Sequence, residues 1–356
     1  MKIVDIRLQS AVLPAENPAF RWRRGLPGSE PEVLGGRLQV VTEDGLVGEA
    51  ETRRGVIVQD LIERVFKPNL LGEDADQREY LWHRVWDLDR RESLPAYALG
   101  LVDVALWDLA GKRAGLPVAT LLGGYRQTIP AYASLVTYAT IDEYLDVASQ
   151  SLAHGFTALK IHAWGSARAD SELIRELRAH VGDDVPLMYD GSAGFDLADA
   201  VTVGRALSES NFLWYEEPML ETSVRAYGAL ARQISVPVLV GETAGGVHHT
   251  LADYLCAGDV RYVRTGTHLK GGLTGALRIS HLADAFRVRA EVHGGGAANE
   301  QLCMAVPNNT YFECRVSGNP IVLGAPIGPD GLLHARTAPG MGYGELPSPE
   351  TREVLL

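Results

Sequence analysis

Three cysteines in 356 residues leave no material for a disulfide framework. Cys256, Cys303 and Cys314 are odd in number and far apart, which also excludes a clustered zinc site, and buried thiols in a reducing cytoplasm are expected. Positive charge is also short: 33 Lys and Arg stand against 45 Asp and Glu, a formal net charge of -12. Such a chain lacks the basic field that nucleic-acid phosphates require. A small anionic substrate is not excluded, because a metal ion and a few local cations reverse the field inside a site. No apolar run reaches the ~20 residues that span a bilayer. The opening MKIVDIRLQSAV has no basic segment before an apolar stretch, so it reads as a β-strand rather than a signal peptide. A cytoplasmic protein with no nucleic-acid or membrane partner is expected.

What is present is ordinary globular composition, 46% hydrophobic and 22% charged, enough to bury a large core. Residues 1–125 read as an α+β unit. Ile3, Val4, Ile6 and Leu8 open a strand, and Arg37–Val41 and Leu46–Ala50 flank the hairpin signal Asp44-Gly45. Helical periodicity follows in Val56–Phe66, Gln77–Leu88 and Ala96–Ala114. Between the first two strands lies a long loop, Pro14 to Glu32, with four prolines, Trp22 and the arginines Arg21, Arg23 and Arg24. Loops of that length in compact domains are either functional or variable surface. Residues 126–324 alternate strands with helices. Eight strand candidates, at Ala131–Val136, Ala158–Ile161, Pro186–Tyr189, Phe212–Tyr215, Val238–Val240, Arg261–Arg264, Arg289–Val292 and Tyr311–Glu313, predict an α/β fold with a closed parallel barrel. The Gly- and Pro-rich segment 325–356 is expected to pack back on the first unit.

The ends of those strands carry the chemistry. Asp190, Glu216 and Glu242 each follow an apolar strand, spaced 26 and 26 residues apart, one βα unit each. Barrel active sites lie at this face. Neighbouring strands are about 4.8 Å apart, so the three carboxylates converge. Three bare anions so close repel strongly, and a hard divalent cation with oxygen ligands resolves this; Mg2+ is the usual choice. Glu217 alternates to the other face and is left as a supporting residue. One strand earlier, period two puts Lys160 and His162 on the side of the acids. His293 ends the seventh strand, across the barrel, and Glu313 ends the eighth. His248-His249 reads as solvated surface at a helix start.

The stretch LVDVALWDLAGKRAGLPVATLLGG at 101–124, LKIH at 159–162, MYDGSAGF at 188–195, LWYEEP at 213–218, VGET at 240–243 and LKGGLTGAL at 269–277, in that order, resemble the enolase superfamily and, within it, the mandelate racemase subgroup. The resemblance covers nearly the whole chain. It implies a modified (β/α)7β barrel under an N-terminal capping domain, Mg2+ on Asp190, Glu216 and Glu242, and a homo-oligomer. It also implies a loop closing over a small-molecule carboxylate substrate, which makes Phe20, Arg21, Trp22 and Arg24 specificity residues, joined by Ser192 and Arg264. Two departures matter. The family's K-x-K motif is here Lys160-x-His162, so His162 inherits the base, at a pKa that needs little tuning. The family's acid behind the seventh-strand histidine is replaced by Gly266, so His293 has no evident orienting partner.

The reaction expected is removal of a proton alpha to a carboxylate through an enediolate stabilised by Mg2+ and Lys160. Dehydration of a sugar acid to a 2-keto-3-deoxy acid is the favoured outcome. His162 would take the proton and His293 protonate the departing hydroxyl, or the reverse, with Glu313 bonded to the metal-bound carboxylate. Racemase, epimerase or lactonising cycloisomerase activity is the alternative. A non-catalytic binding protein keeping the fold is the alternative of another class.

Overall fold

Alternating apolar residues in the first strands bury one face and pair them into one antiparallel sheet: β1 (Ile3–Leu13), β2 (Val33–Thr42) and β3 (Val47–Thr52), in that order. The computed structural model describes residues 1–346. The β2–β3 turn holds Gly45 at φ +82, a conformation glycine reaches without strain. Helix Gly55–Leu61 passes into a π-turn, Ile62–Phe66, where one continuous helix is expected. Helix Arg78–Glu92 runs as the periodicity indicates.

The helix expected over Ala96–Ala114 is broken at Gly100 into Ala96–Leu99 and Leu101–Ala114. A Cβ on Gly100 would fall 2.2 Å from the backbone nitrogen of Gly272, so the capping unit touches the barrel backbone there. Side chains then grip the same turn. Trp82 Nε1 donates to Gly271 O (2.7 Å), and the buried Asp103 accepts from Thr274 Oγ1 (2.5 Å) and Thr274 N (2.9 Å).

The second sheet contains β4 (Thr128–Leu135), β5 (Leu159–His162), β6 (Leu187–Asp190), β7 (Trp214–Glu216), β8 (Val238–Val240), β9 (Tyr262–Thr265), β10 (Arg289–Val292) and β11 (Phe312–Ser317). The parallel order is β10-β9-β8-β7-β6-β5-β4-β11: the last strand returns beside the first, and the sheet curls into the barrel. Eight strands of the expected identity are there; the last begins at Phe312 and runs on to Ser317. β12 (Val322–Leu323) adds antiparallel to β11, and β13 (Leu332–His334) to β4. The C-terminal segment therefore extends the barrel sheet before it meets the capping unit. There Val118 N donates to Gly340 O (2.9 Å), Met341 N to Asp108 Oδ1 (2.7 Å), and the Arg37 guanidinium lies 4.6 Å from the Tyr343 ring centre. Residues 347–356 lie outside the described residues.

Period two builds the barrel interior in layers. In register, Lys160 pairs with Met188 and Met188 with Trp214; His162 pairs with Asp190 and Asp190 with Glu216. Tyr132, Ala158, Met188, Trp214 and Leu239 form a buried apolar floor. The acids sit one layer above it.

Two smaller expectations are corrected. Cys303 and Cys314 are buried, but Cys256 is exposed near the end of helix His248–Ala257. His249 is exposed, whereas His248 is half-buried, 6.3 Å from the Trp82 ring. Among the described residues no helix is long and apolar enough to cross a membrane.

Candidate metal centre and active site

Asp190, Glu216 and Glu242 each place a carboxylate oxygen within 4.8 Å of the others, at the C-terminal ends of β6, β7 and β8. Burial and the neighbouring Asp190 and Glu216 hold Glu242 well above the carboxylate range. Asp190 goes the other way: burial opposes ionisation, but His162 and Lys160 pull it well below. One acid of three is thus disfavoured as an anion by its companions. That is the electrostatic mark of a cradle for a hard cation with oxygen ligands, and the donor set fits one.

Lys160 is fully buried, with Nζ 3.2 Å from Asp190 Oδ2, 3.0 Å from Glu216 Oε2 and 2.7 Å from Glu313 Oε1. Burial alone would lower its pKa; Glu216 and Glu313 raise it well above the usual value. Glu313 also accepts from Ser134 Oγ (2.9 Å) and from Gly294 N (2.8 Å). Against its burial, Lys160 and Arg264 hold it ionised. An ionised carboxylate only accepts, so in this arrangement Glu313 restrains Lys160 and has no proton with which to bond a substrate carboxylate.

The two histidines flank the triad. His162 Nδ1 lies 2.9 Å from Leu135 O, and a carbonyl only accepts, so this nitrogen carries the hydrogen. Its Nε2 then faces Asp190 Oδ2 at 3.1 Å. His293 Nε2 lies 3.2 Å from Glu242 Oε1. Its ring is still 32% exposed, yet burial, with Arg264 and Lys160 adding to it and Glu313 opposing, takes it down to about 4. Gly266 offers no side chain to the His293 ring, whose carboxylate contact is Glu242 of the triad. Instead Asn299 fixes the backbone: its Nδ2 donates to His293 O (2.7 Å), and its Oδ1 accepts from Thr267 N (2.8 Å).

The loop residues divide. Trp22 packs against His162, ring centres 4.4 Å apart and planes tilted by 47°, and Phe20 packs edge-on against Trp22 at 5.1 Å. Arg21 and Arg24 are exposed and line an open groove of about 490 Å3 with Tyr138 and Trp164, away from the acids. Arg23, the third arginine of the loop, ties it to the metal strand by donating to Ser192 O (3.2 Å). Ser192 is spent on Asp190: its N donates to Oδ1 at 2.8 Å. Arg264, expected to meet substrate, is fully buried below the acids. Its Nε and Nη2 bond the two oxygens of Glu216, with Nη2 to Oε2 at 2.6 Å, and Nη2 also donates to Tyr132 Oη (3.0 Å). An arginine on an inward position of a barrel strand reads from sequence as a site residue; its depth is set by the layer, which the motif does not give.

Glu217 is buried and accepts from Thr243 Oγ1 (2.7 Å); burial, Glu242 and Glu221 push it up to about 11. Glu221, unforeseen, accepts from the backbone of Gly241, Thr243 and Ala244 and so shapes the turn that presents Glu242.

Residues 143–344 match the family model for enolase C-terminal domain-like proteins, and residues 36–123 match the mandelate racemase / muconate lactonizing enzyme N-terminal domain. The chain belongs to the enolase superfamily. This enolase-superfamily enzyme is 28% identical over 318 residues to a 3,6-anhydro-alpha-L-galactonate cycloisomerase of Streptomyces coelicolor, covering 86% of this chain and 87% of that one. It is 28% identical over 363 residues to an L-rhamnonate dehydratase of Saccharopolyspora erythraea, covering 95% and 90%. The solved structure of D-glucarate dehydratase from Agrobacterium tumefaciens complexed with magnesium matches with a TM-score of 0.86 at 31% identity, over 96% of each chain.

Proposed function

We propose that this enzyme removes the proton beside the carboxylate of an acid sugar and expels a β-hydroxyl as water, forming a 2-keto-3-deoxy acid, with Mg2+ held by Asp190, Glu216 and Glu242. The observation that carries this is the pair of imidazoles on opposite flanks of the acid triad, His162 against Asp190 and His293 against Glu242. Relatives named as acid-sugar dehydratases, and a magnesium complex among similar structures, support the same reading.

Bound Mg2+ would stabilise the negative charge that builds on the substrate carboxylate. Lys160, kept protonated by Glu216 and Glu313, adds a fixed positive charge from below. His293, held down to about 4, is unprotonated at neutral pH and takes the proton. His162 has Nδ1 fixed on Leu135 O, which leaves Nε2 as the nitrogen that delivers a proton to the departing hydroxyl. Trp22 covers that imidazole and keeps water from it.

A library of acid sugars, read by semicarbazide for 2-keto acid, tests this. A Mg2+-dependent keto acid, lost on chelation, is the expected result. Exchange of the α-hydrogen with solvent and no net dehydration of any member would overturn dehydration in favour of epimerisation.

A further inference from the structure

Four carboxylates, those of Asp190, Glu216, Glu242 and Glu313, meet in one buried cluster. Lys160 touches three of them. One fixed ammonium against four acids leaves most of their negative charge unmatched. The second fixed cation is Arg264. Its guanidinium has no exposed surface, closes on both oxygens of Glu216, and lies 3.7 Å from Glu313 Oε2. Bidentate arginine–carboxylate pairs of this kind are strong and hold their geometry. Two imidazoles also face the acids, His162 Nε2 at 3.1 Å from Asp190 and His293 Nε2 at 3.2 Å from Glu242. Glu291 accepts from Thr310 N, and Lys270 donates to Ala244 O; both lie near the cluster without bonding one of its four acids.

We propose that Arg264 is a built-in counter-cation of the metal centre: it offsets one unit of the negative charge that the acids present to a divalent ion, and thereby limits how tightly that ion is held. This rests on the metal reading above. With the ion in place, this fixed positive charge also lessens the repulsion that an anionic substrate meets there. Buried cations act on one another across a few ångströms far more strongly than in water, so one charge more or fewer changes ion affinity by at least about tenfold. Position 162 offers a way to move the charge, because His162 Nε2 already lies 3.1 Å from Asp190.

Four full-length proteins test this: wild type, Arg264→Met, His162→Lys and the double variant. Each is read by melting temperature after chelation and by calorimetric titration with Mg2+. Arg264→Met is expected to melt lower without metal and to bind Mg2+ at least tenfold more tightly. His162→Lys should bind at least tenfold more weakly, and the double variant should return to near the wild type in both readouts. A double variant that binds Mg2+ no differently from Arg264→Met, or weaker Mg2+ binding by Arg264→Met, would overturn the proposal. If Arg264→Met alone does not fold, the double variant decides: folding supports the charge role, and failure to fold contradicts it. A wild type that takes up no Mg2+ sinks the metal reading itself, a different outcome from loss of charge coupling.

Discussion

The indole of Trp22, from the long loop between β1 and β2, lies 4.4 Å from the imidazole of His162 at the end of β5, tilted by 47°. A residue of the capping unit thus forms one wall around that imidazole. Trp22→Ala opens that wall to water, and a reduction of kcat/KM of about 10- to 100-fold is expected, with the melting temperature within a few degrees of wild type. Trp22→Phe should restore most of the loss. Steady-state kinetics with the keto-acid assay checks both.

The two histidines are expected to separate in their isotope behaviour. His293→Asn removes the proposed base, so both α-hydrogen exchange and dehydration should fall by about 100-fold or more. His162→Asn removes the proposed proton donor, so exchange of the α-hydrogen in deuterated water should persist while keto-acid formation falls. Both variants should still bind Mg2+. Equal loss of exchange in the two would show that the roles are not divided this way.

Much of this arrangement is legible in the chain. Asp190, Glu216 and Glu242 are readable because barrel strands repeat at a fixed spacing and end at one face, so identical offsets mean adjacent positions. Lys160 and His162 follow from period two. What the sequence does not carry is depth and partner. Arg264 has the inward phase of a site residue, yet it bonds Glu216 from beneath rather than facing substrate. Arg21 and Arg24 share a loop with Trp22, but loop backbone has no period, and they point into a different groove. The break at Gly100 was hidden because its cause, the backbone of Gly272, lies 172 residues away in sequence.

That contact gives a stability prediction. Gly100→Ala places a methyl 2.2 Å from backbone that no side-chain rotation can clear. A loss of about 3 kcal/mol or more is expected, from overpacking at a site that cannot relax. Urea denaturation measures it through the transition midpoint.

Asp103 sets a pH dependence. Burial, opposed by its bonds to Thr274, raises its carboxyl to about 7. Its folded value lies above the unfolded one near 3.9, so between those two pH values the folded state binds more protons, and stability falls as pH rises through that window. Asp103→Asn has no such group. Relative to wild type it should gain stability between pH 4 and 7, by an amount on the order of 2 to 4 kcal/mol. Denaturation midpoints of both proteins across that range check the sign; parallel curves would contradict it.

The reading stands on three carboxylates sharing one divalent ion. The most direct measurement is a crystal structure of the protein grown with Mn2+ and phased on the manganese anomalous signal, Mn2+ being a visible substitute for Mg2+. One strong peak within about 2.0–2.4 Å of oxygens from Asp190, Glu216 and Glu242 is expected. An anomalous map with no peak among those three side chains would contradict it.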